Sequence, residues 1–138
     1  MLSIGELSRR SEVKVPTIRY YEQIGLLDEP ERSEGNQRRY ERADLERLTF
    51  IRHARDLGFD IEAIRELVEL GAHPEKPCAG ADRIAGDHLA AVRDRIARLQ
   101  QLERELTRIV RLCTAAGPAG ECRVLEALSD HDGCTEPH

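Results

Sequence analysis

The chain has 138 residues, of which 34% are charged and 4% aromatic, with no Trp. That length suits one ordinary domain or a small domain with a dimerisation element, and so few aromatics argue against a large aromatic core. The formal charge of −5 argues weakly against nucleic-acid binding. No run approaches the roughly 18 apolar residues of a membrane span, and the opening MLSIGELSRR is not a signal peptide. A soluble, cytoplasmic protein with no membrane partner is expected. Four cysteines without a secretory signal point to metal ligands or reactive thiols more than to disulfides.

The sign of the charge is uneven along the chain. Residues 1–71 hold 12 Lys+Arg against 15 Asp+Glu, a net of −3. Within them, Arg9, Arg10, Lys14 and Arg19 face only Glu12, and Arg38, Arg39, Arg42, Arg47, Arg52 and Arg55 outnumber Glu41, Asp44 and Glu46. DNA affinity follows local phosphate contacts rather than total charge, so DNA binding stays open.

In chain order, Ser3 followed by Glu6 is a capping-box pattern, and Ile4 and Leu7 begin a short apolar face. This predicts a first helix running to about Arg10. After a turn through Ser11–Lys14, Pro16 sits near a second helix start, where its missing N–H costs nothing. Ile18, Tyr21 and Ile24, with Val15, make that helix's buried stripe, and Gly25 is its stop. Two short helices joined by a tight turn are a helix-turn-helix candidate. Thr17, Arg19 and Tyr20 fall on the outward face of the second helix, where Arg and Thr can reach base edges and phosphates.

Residues 26–41 read as a β-hairpin wing with its turn at Ser33-Glu34-Gly35-Asn36. Arg38, Arg39 and Tyr40 on it could hold flanking DNA backbone. Asp44, Leu45, Leu48, Ile51 and Leu57 predict a third helix ending at Gly58. Asp60 caps a fourth, with Ile61, Ile64, Leu67 and Val68 inward. Gly71-Ala72-His73-Pro74 is the clearest boundary in the chain.

Beyond Pro77 the long helix begins. Leu89, Val92, Ile96, Leu99, Leu106, Val110 and Cys113 follow the 3/4 alternation of a coiled-coil seam, interrupted at Glu103. Thr114–Glu121 is a small-residue loop, and Val124, Leu125 and Leu128 predict one last short helix. The organisation is a DNA-binding unit over 1–72, a dimerisation helix over 73–113, and a loop, short helix and tail over 114–138.

Cys78 and Cys113 stand 35 residues apart, five heptads, so both thiols lie on one side of a supercoiled helix. They are also roughly 50 Å apart at 1.5 Å per residue, too far to share a metal within one chain. Two copies of the helix running antiparallel would bring Cys78 of one beside the second copy's Cys113. Cys122, which follows Cys113 on the far side of the loop, can add a third thiolate. Each Cys alone is more often a small buried hydrophobe than a ligand; the three-way spacing reverses those odds. Two thiolates suit linear Cu(I), while a third supplies charge and coordination for Zn2+, Cd2+, Pb2+ or Hg2+. His131, Cys134 and His138 could complete a tetrahedral site or form a second one; the competing reading is a polar tail that happens to contain them. No Ser/His/Asp grouping, phosphate loop or carboxylate pair stands out, so an enzyme is not expected.

Several blocks resemble the MerR family of transcriptional activators. Ile4-Gly5-Glu6-Leu7, Thr17-Ile18-Arg19-Tyr20-Tyr21-Glu22 and Gly25-Leu26-Leu27 are similar to the family's N-terminal signature. Arg32-Ser33-x-Gly35-Asn36-x-Arg38-x-Tyr40 matches its wing, and the stretch from Leu48 to Phe59 its third helix. The likeness extends to about Leu128. It implies a mainly α fold: a winged helix-turn-helix domain, a long antiparallel coiled-coil dimerisation helix and a C-terminal metal-binding loop. It also implies a homodimer on promoter DNA, engaged by RNA polymerase, with Lys14, Thr17, Arg19, Tyr20, Arg32, Arg38, Arg39, Tyr40 and Arg55 toward DNA. In metal-sensing relatives, thiolates at the loop flanks bind the ion. A further Cys at the start of the dimer helix resembles the branches that sense divalent ions, which implies Zn2+, Cd2+, Pb2+ or Hg2+ at Cys78, Cys113 and Cys122. Two rivals are a thiol-redox or electrophile sensor on the same scaffold and a cytosolic metal-binding protein without promoter activity.

Overall fold

The computed structural model describes residues 1–112 and 117–129. Cys113, His131, Cys134 and His138 lie outside the described residues. The chain divides into two compact units, Met1–Ala85 and the part from Gly86 onward.

The first unit opens with α1 (Ile4–Ser11), where Ser3 Oγ accepts from the Glu6 N–H at 3.2 Å, as the cap pattern predicts. A tight turn leads into α2 (Val15–Gln23), with Pro16 in its first turn. The expected stripe holds at Ile18 and Tyr21, with Ile24 half-buried against the core, and is corrected at Val15. Val15 is only half-buried, and Val13 is buried in its place. The turn enforces this: Ser8 Oγ donates to the Val13 carbonyl at 2.6 Å, and the Val13 N–H donates to Ser11 Oγ at 3.2 Å. These bonds point Val13 inward before the helix starts.

Helix α2 stops at Gly25, whose φ of +78° is open to glycine at little cost. There the Leu26 N–H closes back on the Tyr21 carbonyl at 2.9 Å. The wing is shorter than the sequence implied. Strands β1 (Glu31–Arg32) and β2 (Arg38–Arg39) pair antiparallel, Glu31 opposite Arg39 and Arg32 opposite Arg38. Asn36 takes the left-handed conformation in the turn. The base of the wing is also tied to the chain start, because Leu2 and Tyr40 exchange backbone hydrogen bonds at 2.7 and 2.8 Å. No local pattern announces that long-range pairing.

Helix α3 (Arg42–Asp56) begins two residues before Asp44, because the Asp44 carboxylate reaches back to the Glu41 N–H at 2.8 Å. It ends at Gly58, φ +88°, with the Phe59 N–H donating to the Ala54 carbonyl, the same closure as at Gly25. Helix α4 (Ile61–Gly71) is capped by Asp60, which accepts from the Ala63 N–H. Leu7, Ile18, Leu48, Ile51 and Ile64 are fully buried and form one core with Tyr21, Leu26, Leu27 and Tyr40. Helix α1 packs on α2 and α3, and α3 packs on α4.

Helix α5 (Ala79–Leu112) spans 34 residues. In the second unit a 3-10 turn (Ala119–Glu121), not anticipated from sequence, leads into α6 (Arg123–Ser129), the predicted last helix. Among the described residues no helix is long and apolar enough to cross a membrane.

Leu48→Ala should destabilise the DNA-binding unit by about 2–5 kcal/mol, the range for emptying a fully buried Leu site. Ile24, only half-buried, should cost clearly less on the same change. Thermal unfolding at fixed protein concentration checks both; equal losses would contradict Leu48 as a central core residue.

Candidate functional site

Helix α2 is amphipathic across its own width. Ile18 and Tyr21 turn inward at 0% and 7% exposure, while Tyr20 is 49% exposed, Arg19 is exposed and Thr17 is half-buried. Lys14 stands exposed at the N-cap and makes no side-chain cap bond. The outward face therefore carries the residues the sequence assigned to it. A helix start without a side-chain cap and with an adjacent Lys favours phosphate.

The wing residues divide. Arg32 donates to the Asn36 carbonyl at 3.1 Å and braces the wing turn from an exposed position. Arg38 and Arg39 are half-buried. As neighbours on a strand they leave on opposite faces, and Arg38 meets α2, its Nε 3.4 Å from Glu22 Oε2.

Tyr40 is the correction here. It was expected at the DNA backbone, but it is 1% exposed and belongs to the core. Its hydroxyl donates to Glu22 Oε1. Burial, and then the hydrogen bond to the Glu22 carboxylate, hold the phenol far above its ordinary range, so it stays a neutral donor. An aromatic at the end of the second wing strand folds back over the core because the Leu2 pairing fixes its backbone there.

Arg55 remains exposed, but its Nη1 donates to the Phe59 carbonyl at 2.8 Å and so braces the end of α3. Two charged residues escaped the sequence assignment. In the sequence Glu22 stands only within a motif, and Arg52 only within a motif and a charge count. Arg52 reaches Glu12 at 3.1 Å and Asp56 at 3.6 Å, tying α3 to the turn between the first two helices. Glu12 itself takes a left-handed backbone, φ +60°, an uncommon place for a non-glycine residue.

The described thiols flank the second half of the chain. Cys78 is exposed just before α5, and its carbonyl accepts from the Asp82 N–H. Cys122 is half-buried between the 3-10 turn and α6. Its N–H donates to the Ala119 carbonyl and its carbonyl accepts from the Glu126 N–H. Among the described residues no three His, Cys, Asp or Glu side chains converge as metal ligands. The donors present are soft thiols, which fit a soft divalent ion chemically.

A helix-turn-helix with a small wing and a cationic outward face defines a DNA-binding regulator. The comparisons with known proteins say which. Family models described as "MerR HTH family regulatory protein" and "MerR, DNA binding" match residues 2–70 and 45–109. The chain is 43% identical to the HTH-type transcriptional regulator ZntR of Escherichia coli K12, over 93% of this chain and 92% of that protein. It is 36% identical to the mercuric resistance operon regulatory protein of Shigella flexneri, over 96% and 90%. The crystal structure of the transcription regulator PbrR691 from Ralstonia metallidurans CH34, in complex with lead(II), superposes with a TM-score of 0.82 at 41% identity, covering 93% of this chain and 99% of that one. The chain belongs to the MerR family. Its family and relatives are transcription regulators, not enzymes.

If Arg19 contacts a base edge, Arg19→Ala should weaken specific binding by roughly 1–3 kcal/mol and relax sequence preference. Lys14→Ala should weaken binding evenly across sequences and make its salt dependence shallower by about 0.9 in logarithmic slope, the mark of one phosphate left without its cation. Competition binding against scrambled duplexes at several salt concentrations separates the two. Equal loss of specificity from both would contradict these roles.

Proposed function

We propose that this chain is a metal-responsive transcriptional activator that works as a cytoplasmic homodimer on promoter DNA. The observation that carries the reading is the placement of thiols around α5: Cys78 immediately before it and Cys122 in the segment beyond it, with Cys113 one residue past its described end. Relatives named for mercuric resistance or solved with lead(II) support it.

The dimer follows from α5. Leu89, Val92, Ile96, Leu99, Leu106 and Val110 recur along its seam, and their exposures range from 36% at Val92 to 65% at Val110. Fully burying one such side chain is worth about 1.5–3 kcal/mol. A second copy of the helix supplies the cover, and an antiparallel arrangement sets Cys78 of one subunit beside the partner's loop. Cys78, Cys113 and Cys122 would hold the ion, and three thiolates provide the charge and softness that Zn2+, Cd2+, Pb2+ or Hg2+ requires.

The activating conformation must offer those thiolates a better site than the repressing one, since only differential affinity shifts the balance. The DNA-binding units then bend and untwist the operator so that RNA polymerase engages widely spaced promoter elements, with DNA deformation as the readout.

A mixed dimer tests the shared site. With Cys78→Ser in one subunit and Cys113→Ser in the other, one of the two metal sites should survive. With both substitutions in the same subunit, both sites should be damaged. Metal stoichiometry by equilibrium dialysis reads the difference, and the reverse pattern would exclude intersubunit sharing. Separately, Cys122→Ser should abolish most metal-dependent transcription while operator affinity without metal persists. A parallel fall in metal-free affinity would place Cys122 in the DNA-binding fold rather than in sensing.

A further inference from the structure

We propose that Glu22 is a positioning residue for DNA recognition: its carboxylate, carried on the recognition helix, sets the register of the wing through Tyr40 and Arg38. A carboxylate on a helix that meets phosphates is electrostatically misplaced unless something else needs it. Here it is nearly sealed from solvent, with its side chain 7% exposed. One oxygen accepts the Tyr40 hydroxyl, and the other lies 3.4 Å from Arg38 Nε. Burying a carboxylate is costly unless it is paired and hydrogen-bonded. Both partners come from the second wing strand and the residue after it.

The wing has few other anchors. Its strands are two residues each, and its tip from Glu34 to Gln37 is exposed. An isolated two-stranded ribbon is marginal in water. Among the described residues the wing's other ties are at its base: the Leu2–Tyr40 backbone pair and the burial of the Tyr40 ring, with Leu26 and Leu27, in the core. Glu22 therefore sets the spacing between the outward face of α2 and the guanidinium groups of Arg38 and Arg39. The Arg38 Nε is buried yet makes no hydrogen bond of good geometry, so its attraction to Glu22 is charge-based and tolerates small rotations of the wing. The phenol–carboxylate bond is the directional one.

This inference rests on the winged-helix mode of DNA binding, and the test keeps the two apart. The full chain is footprinted with hydroxyl radicals on a duplex that the wild-type protein selects from a random-sequence pool, with thermal melting alongside. Glu22→Ala should lose protection at the positions flanking the recognition-helix contacts while keeping the central protection. Its salt dependence should become shallower by about 0.9 in logarithmic slope for each phosphate the wing no longer neutralises. Glu22→Gln, which still offers an oxygen to the Tyr40 hydroxyl, should restore most of the flanking protection. An unchanged footprint and slope for folded Glu22→Ala would overturn the proposal, and so would equal loss at centre and flank. Should Glu22→Ala fail to fold, Tyr40→Phe decides, because it removes one hydroxyl: weakened flanking protection supports the proposal and an unchanged footprint overturns it. Arg19→Ala is the separate control. If it changes neither the specific affinity nor the central protection, the winged-helix mode itself fails, whatever Glu22 does.

Discussion

The DNA-reading face depends on a helix too short to stand by itself. Helix α2 has nine residues, below the roughly 12–15 at which isolated helices become even marginal in water. Its order and direction come from Ile18 and Tyr21, buried in a core shared with Leu7, Leu48 and Ile51. Arg19 and Tyr20 face outward because their neighbours in sequence are held inward. A close-packed core has few adjustable voids, so a change at Leu48 on α3 reaches the DNA face without touching it. This one packing constraint explains why a domain with 4% aromatics still presents a defined surface: short aliphatic side chains from four helices meet at one point.

Net charge had seemed to oppose DNA binding, and the ion pairs resolve the conflict. Much of the acidity near the arginines is engaged internally: Asp28 with Arg47, Glu12 and Asp56 with Arg52, Glu46 with Arg42, Glu22 with Arg38. Except at Glu22, the carboxylates of these pairs are exposed to water, which limits what each contributes to stability. Their effect is on distribution, because they leave the start of α2 and its outward face cationic. A sum over 138 residues cannot see that arrangement, whereas the local field is what phosphates meet.

Local chemistry was legible and long-range pairing was not. Ser3 and Asp60 cap helices as read, and Gly25 and Gly58 end them, because each of those interactions closes within about five residues. The faces of α2 followed from periodicity. The misread positions all depend on partners outside their own element. Tyr40 looked like a surface aromatic because its burial needs Leu2, at the far end of the unit, and Glu22. Val15 reads as inward in the sequence and Val13 is buried instead, because two serine hydroxyl bonds shape the turn. Arg55 and Arg32 look like free cations in sequence, yet each has a backbone carbonyl to satisfy. Donors of that kind keep spare N–H groups, so bracing a turn and contacting a phosphate are compatible roles for an arginine.

The thiols show the same division from the other side. Their spacing is plain in the sequence, and α5 is described from Ala79, the residue after Cys78, as far as Leu112. What no single chain contains is the second copy that a shared site needs. Under the proposed function the exposed seam and the scattered thiols would be two expressions of one condition: the apolar stripe and the ligand set would both be completed by the same partner. Under that reading, dimerisation and metal binding are thermodynamically linked, since a ligand that binds only the paired form stabilises it. In such a dimer the interface that completes the sensor would also join two DNA-binding units, so a change at the thiols would be felt by both half-sites of an operator at once. That geometry suits a regulator that acts on the shape of DNA, where twist between two distant half-sites is the quantity being controlled.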